Sequence, residues 1–302
     1  MLDFRHETFL TLCSCNSFTK TAELLHISQP AVSQHIKYLE ALYGYKLFDT
    51  TYKKIQLTEQ GELLRAFAMT IFSDLKHFKE SLSATTADTL HFSFGATLSI
   101  GEYLMPKILS RLLNKDPEMS VHMSVANTQL LLERLNQGDL DFIVVEGLFD
   151  KSAYDTKVFS LERFIPVCSP RLEWANREVG FHEIVECRLI LRESGSGTRE
   201  IFENVLQKNN YSIHAFEKVI EIGNMAAIKK MVANGLGITF LFEVAAKREL
   251  EDGSLSRINI RGFSELREFN FVFLKNSFFY ERYMKIYELL KQAFNEDNKS
   301  EF

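Results

Sequence analysis

The sequence predicts an α/β chain of more than one domain: a small helical module with a hairpin, one long helix, and a larger C-terminal region of two α/β lobes. Three observations predict it. Residues 1–57 carry short apolar stripes at helical spacing. Residues 58–83 run without a breaker, with apolar residues at heptad spacing. Beyond residue 90, short apolar runs alternate with amphipathic stretches, the pattern of parallel βαβ units. With 302 residues the chain is too long for one small core, and 46% apolar with 25% charged residues marks an ordinary globular composition.

In the N-terminal module, Leu2, Phe9, Leu12 and Cys13 share one helical stripe, and Phe18, Ala22 and Leu25 make a second, shorter one. Ser28 is placed to cap a third helix, with Pro30 in its first turn, where a missing N–H costs little. Val32, Ile36, Leu39 and Tyr43 are its expected buried stripe, and Gly44 its stop. YKLFDTTYKKIQLT alternates like two short strands around a DTTYKK tip.

Residues 58–83 read as one long helix capped by Thr58. Leu57, Leu64, Ile71 and Phe78 recur every seven residues, and Phe67 and Leu75 fill the intervening positions. With no neighbouring sequence to pack on locally, the seam reads as a self-association surface (Leu64, Phe67, Ile71, Leu75, Phe78); a long helix packed on its own domain is the alternative. SATTAD, 84–89, reads as a hinge. The expected domains are 1–57, 58–89 and 90–302, the last divided into lobe I (about 90–162 and 268–302) and lobe II (about 163–267). Within it, 90–96, 121–127, 140–146, 164–169, 188–193, 219–222, 237–243 and 269–275 read as strands. Helices are expected from Ser99, Thr128, Gly197 and Met225, and over 278–294.

The third helix carries the first functional signal. Pro30, Ser33, Gln34, Lys37 and Ala41 oppose its apolar stripe, with Gln29 at the tip. A short helix, a tight link and this helix make a helix-turn-helix, whose second helix enters a major groove tip first. Gln offers donor and acceptor together and suits adenine edges; Ser lets the backbone approach; Lys suits phosphate or guanine. The hairpin tip, with Thr50, Tyr52, Lys53 and Lys54, would lie on the flanking phosphates as a wing, giving affinity without sequence information. Spacing alone equally allows a helical hairpin with a solvated polar face. The net charge of −5 speaks against a nucleic-acid partner in bulk, while Lys37, Lys46, Lys53 and Lys54 gather in one stretch.

SFTKTAELLHISQPAVSQHIKYLEALYGYKLFDTTYKKIQLTEQG resembles the N-terminal domain of LysR-type transcriptional regulators. The matching positions are Phe18, Thr19, Ala22, Leu25, Ser28, Gln29, Pro30, Ser33, Ile36, Leu39, Glu40, Leu47, Phe48, Leu57, Thr58 and Gly61. The resemblance extends over nearly the whole chain. It implies a winged helix-turn-helix, a dimerising linker helix and a two-lobed α/β effector domain similar to periplasmic binding proteins. It further implies a homodimeric regulator that assembles to a homotetramer and binds an inverted repeat in double-stranded DNA, with RNA polymerase as a further partner; the helix face and wing supply Ser28, Gln29, Pro30, Ser33, Gln34, Lys37, Thr50, Tyr52, Lys53 and Lys54 as the expected DNA-binding residues, and the cysteine usage points to the cytoplasm. Two departures stand out: Thr50 replaces an Arg that relatives often carry, and the strand TFLFE lacks their Pro.

In sheets of this kind ligands sit beyond the carboxyl ends of strands. Four segments fall there: GATLS with Thr97 and Ser99, ANT with Asn127 and Thr128, RESGSGTRE with Gly195, Ser196, Thr198 and Arg199, and EIGN with Gly223 and Asn224. Each alone could be a helix cap. Together, as backbone N–H groups and hydroxyls with no carboxylate, they favour a small anionic metabolite between the lobes, with Arg199 completing its site. GATLSIGEYLMP and RESGSGTRE also resemble family members that sense such anions.

Other classes fit poorly. ESGSGT is not a nucleophile elbow, since Glu193 holds the leading Gly position, and no catalytic residues are expected. Gly235 and Gly237 lack a third Gly for a dinucleotide fingerprint, and the eight His lack zinc spacing, so no metal or cofactor is expected. Cys13, Cys15, Cys168 and Cys187 form no disulfide framework. No apolar run is long enough to span a membrane, and the N-terminus has no export signal, which disfavours a secreted solute-binding protein.

Overall fold

The structure, a computed structural model, describes residues 2–49, 55–83 and 90–300. It divides into two compact units, residues 1–87 with 136–139 and 274–280, and the remainder.

The first unit begins with α1 (Phe4–Cys15), started by a reciprocal cap in which Asp3 accepts from the Arg5 N–H and the His6 ring takes the Asp3 N–H. Then follow α2 (Phe18–Leu24) and α3 (Gln29–Tyr43). Ser28 Oγ accepts from the Ala31 N–H, Pro30 sits in the first turn, and Gly44 ends α3 at φ 78°, a left-handed conformation that favours glycine. Strands β1 (Phe48–Asp49) and β2 (Gln56–Leu57) pair antiparallel, and the expected wing tip between them, Thr50 to Lys54, lies outside the described residues. Helix α4 (Glu59–Ser83) starts where Thr58 Oγ1 accepts from the Gly61 N–H.

Phe9, Leu12, Ile36, Leu39, Leu47, Phe48 and Leu64 form the core of this unit. Two expectations change here. Tyr43 is not part of the buried stripe: it is exposed, and its hydroxyl bonds His6 Nε2 at 2.8 Å. Leu64 is not on a free seam, because it fills this core from α4. Nor is α4 without a local partner. Asp74 accepts from Ser277 Oγ (2.6 Å) and the Phe278 N–H (2.8 Å), and Thr70 Oγ1 donates to the Lys275 carbonyl (3.1 Å). An apolar stripe of Leu63, Phe67, Leu75, Phe78 and Leu82 stays exposed. The expected hinge, 84–89, lies outside the described residues.

The second unit opens with β3 (His91–Ala96), α5 (Leu98–Tyr103), α6 (Met105–Lys115), β4 (Ser120–Val125), α7 (Thr128–Asn136) and β5 (Phe142–Val145). The single helix expected from Ser99 is broken at Leu104, just before Pro106, whose ring cannot continue a helix from the preceding turn. Strands β4 and β5 both pair parallel with β3. All four residues of β5 are buried, which is why it reads as a continuous apolar run and not an alternating one.

Strand β6 (Tyr154–Cys168) is far longer than the expected 164–169. It is followed by β7 (Glu178–Val179), α8 (Phe181–Ile184), β8 (Arg188–Leu191), α9 (Gly197–Lys208), β9 (Lys218–Glu221), α10 (Met225–Ala233), β10 (Thr239–Phe242), α11 (Glu243–Glu251), β11 (Ser256–Arg257), β12 (Asn259–Ile260), β13 (Glu265–Leu274) and α12 (Tyr280–Ser300). One sheet runs β10-β6-β13-β5-β3-β4. Thus β6 and β13 cross from one half of the unit to the other, and that crossing is what lengthens them. In the second half β8 and β9 pair parallel, and the Ile190 N–H bonds the Ile238 carbonyl to tie them to the β10 end. Phe94, Phe142 and Phe271 stack in the first core, and Ile165, Ile190, Ile228 and Leu241 form the second. These are two α/β lobes sharing crossover strands. No helix among the described residues is long and apolar enough to cross a membrane.

Candidate functional site

Helix α3 presents the polar face expected of it. Ser28, Gln29, Pro30, Gln34 and Lys37 are exposed, and Ser33 is half-buried. Gln29 Nε2 donates to Ser33 Oγ at 3.1 Å, one turn apart, which orders the two groups at the helix tip. Lys46 is spoken for: it pairs with Glu40 at 2.7 Å, and Glu40 also accepts the Leu47 N–H. Thr50, Tyr52, Lys53 and Lys54 lie outside the described residues.

In the second unit the structure gathers three of the four expected ligand segments around a residue the sequence reading passed over, Glu146. It follows β5 directly and is 2% exposed. Thr97 Oγ1 donates to one carboxyl oxygen, and Thr198 Oγ1 approaches the other at 3.4 Å. Thr128 Oγ1 donates to the Glu146 backbone carbonyl at 2.9 Å. Ser99 is fully buried, and its Oγ makes no hydrogen bond of normal geometry, although it is near enough to help hold the carboxylate charge. Gly197 completes the closure. A Cβ there would stand 2.7 Å from the Glu146 carbonyl oxygen and 3.1 Å from Gly147 Cα, so only glycine permits this approach.

Burial raises the Glu146 carboxyl above its ordinary range, against the opposing pull of Thr97, Ser99 and Arg192. The expectation of a site without a carboxylate is therefore corrected. Glu146 directly follows the wholly buried strand β5 and lies where Thr97, Thr128 and Thr198 meet, a neighbourhood that distant segments create.

Other expected residues take different roles. Arg199 does not complete an anion site: it pairs with Glu203 at 2.7 Å and with Glu221. Arg192 is the guanidinium nearer Glu146, and it is held bidentate by Glu193 at 2.7 Å. Asn127 and Asn224 accept from the Leu130 and Ala227 N–H groups as ordinary helix caps. Gly195 approaches Asn127, Ser196 is buried, and Gly223 is exposed beside Glu193 and apart from the cradle. The sequence signal for Glu146 was an acid at the carboxyl end of the wholly apolar run FIVV.

Two cavities of about 990 and 930 Å³ share Tyr103, Lys107, Val244, Lys247 and Glu251, and none of the cradle hydroxyls lines either. Burial pushes Cys13 and Cys187 to about 12 and Cys168 to about 11, so these thiols stay protonated at neutral pH and are poor nucleophiles.

Residues 5–62 match the bacterial regulatory helix-turn-helix domain of the LysR family, and residues 87–294 match the LysR substrate-binding domain. The chain belongs to the LysR family of transcriptional regulators. As a LysR-type regulator it combines DNA binding with an effector-binding domain. It is 31% identical to the transcriptional activator CmpR of Synechocystis, over 89% of this chain and 88% of that protein. The LysR fold of the chain is also that of OxyR of Corynebacterium glutamicum, with a TM-score of 0.61 at 23% identity over 97% of this chain and 91% of that one. The regulatory domain of Synechocystis CcmR, solved in complex with 2-PG, matches with a TM-score of 0.61 at 20% identity, covering 67% of this chain and 96% of that one.

Proposed function

We propose that this LysR-type regulator reads an inverted-repeat operator with the tip of α3 and that a small anionic metabolite, bound between the lobes at Thr97, Ser99, Thr128, Ser196 and Thr198, tunes that binding. The observation that carries the reading is the convergence of hydroxyls from strand ends remote in sequence on one buried point. Gln29, Ser33, Gln34 and Lys37 contact bases or adjacent phosphates; Lys53, Lys54 and Tyr52 hold the backbone. The fold likeness to CcmR, which binds 2-PG, supports a small molecule in the equivalent domain. Ligand binding biases one lobe arrangement only if it favours that state over the other.

The domains are 1–57, 58–89 and 90–302, working in the cytoplasm as a homodimer that pairs again into a tetramer and meets RNA polymerase at the promoter. The exposed stripe of α4 is the dimer surface. Phe67→Glu with Phe78→Glu is expected to halve the sedimenting mass while leaving the fold intact; an unchanged mass would remove α4 from the interface.

The experiment for the effector is a thermal-shift panel on the full chain with sulfate, thiosulfate, phosphate, acetylated amino acids and short carboxylates. An effector at about 100 times its Kd adds roughly 2.7 kcal/mol of stability. A hit that also changes operator affinity supports the reading. Silence across the panel at every pH would sink the anionic class and leave the DNA-binding reading standing.

A further inference from the structure

The hydroxyl cradle of the cleft already holds an acid, and it belongs to the chain. We propose that Glu146 sets the charge selectivity of the effector site: its carboxylate is a built-in rival for the cradle, and an external anion binds there only together with a proton on Glu146. This rests on the reading that the cleft takes a small anion.

The geometry carries it. Thr97, just after β3, and Thr198, in the first turn of α9, reach Glu146 from 49 residues before and 52 residues after it, and each takes a different carboxyl oxygen. Ser99, fully buried beside them, adds a third hydroxyl near enough to help hold the carboxylate charge. A ligand anion seated on these hydroxyls beside an ionised Glu146 would bring two like charges together where water is excluded, an arrangement strongly disfavoured at low dielectric. A protonated Glu146 removes that repulsion and turns a competitor into a donor, since its O–H can bond the anion.

The charged neighbours do not relieve the conflict. Arg192 acts on Glu146 from the end of β8, but its guanidinium is held by Glu193. Arg199 of α9 is held by Glu203 and Glu221. Glu200 of α9 takes the Leu148 N–H. The groups from α5, α7 and the start of α9 that touch Glu146 are hydroxyls, which carry no charge. Burial already holds the carboxyl above its ordinary range, which eases uptake of the proton it needs.

The proton comes from solvent, so binding must show it. The probe is sulfate, whose charge is constant between about pH 5.5 and about pH 7.5, titrated calorimetrically into the full chain in buffers of different ionisation heat. The expected result is uptake of about one proton per sulfate, and affinity falling by up to roughly tenfold per pH unit as Glu146 ionises in the free protein. Glu146→Gln, which mimics the protonated carboxyl, is expected to bind sulfate at least about tenfold more tightly at a pH where Glu146 of the natural chain is ionised, with no proton uptake and a flat pH profile. Sulfate binding by the natural chain with no proton uptake and no pH dependence overturns the role of Glu146 alone. So does a Glu146→Gln variant that binds no more tightly than the natural chain at any pH. If neither protein binds sulfate or thiosulfate at any pH, the anion reading falls together with the inference. The proton count on the natural chain decides the matter even where the variant does not fold.

Discussion

The tip of α3 and the cradle around Glu146 are both built from hydroxyl and amide side chains, and they are held in opposite ways. At α3 every polar group comes from one stretch of helix, and the main side-chain bond, Gln29 to Ser33, spans a single turn. Water is an adequate partner for such exposed groups. In the cradle, Thr97, Thr128, Thr198 and Glu146 arrive from strand ends and helix starts scattered along the chain and are all buried. A buried polar group must find its partner inside the protein. The same residue types therefore advertise a ligand on a surface, and in an interior first satisfy one another.

That contrast can be broken most forcefully at Gly197. Valine there would drive a Cβ to 2.7 Å from a backbone carbonyl, a neighbour that cannot swing away. The expected cost is about 3 kcal/mol, the upper end for overpacking, read as a lower urea midpoint. An unchanged midpoint would mean the contact between the start of α9 and the end of β5 is dispensable.

Gln29→Ala tests the other region. Stability should stay within about 0.5 kcal/mol, because the residue is exposed, while operator affinity drops by about 1–3 kcal/mol and random duplex is bound nearly as before. Equal losses on both duplexes would deny Gln29 a part in specificity.

The smallest effect is expected at the wing, where the prediction rests on sequence alone. Lys53→Ala with Lys54→Ala should weaken all duplexes alike and reduce the salt slope by roughly 1–2 per DNA-binding domain. A loss that depends on base sequence would make the wing a reader and not a clamp.

The fold was legible wherever the signal was local. Ser28, Pro30 and Gly44 bound α3 because caps and stops act within a turn of the residues they serve. Strands and helices beyond residue 90 were legible because burial on both faces leaves apolar runs such as FIVV. Errors fell where two distant stretches met. Leu64 looked like a seam residue because its heptad position is shared with Phe78, but the hydrophobic core of α1 and α3 captures it. Arg199 looked free for a ligand because its partner Glu221 lies on another strand. The 15 residues of β6 looked shorter because its first part is only half-buried, with weak apolar alternation.

By itself, then, the sequence determined the kinds of element, their order, and the chemistry of the polar face of α3, since each depends on residues within a turn or two of one another. Tertiary structure decided what the cleft contains. Thr97, Ser99, Thr198 and Arg199 carry the same donors in any fold; which of them meets a ligand and which meets Glu146, Glu203 or Glu221 depends on where separate strands end. Burial then fixes the outcome, because an interior carboxylate and interior hydroxyls cost too much apart and so pair with each other.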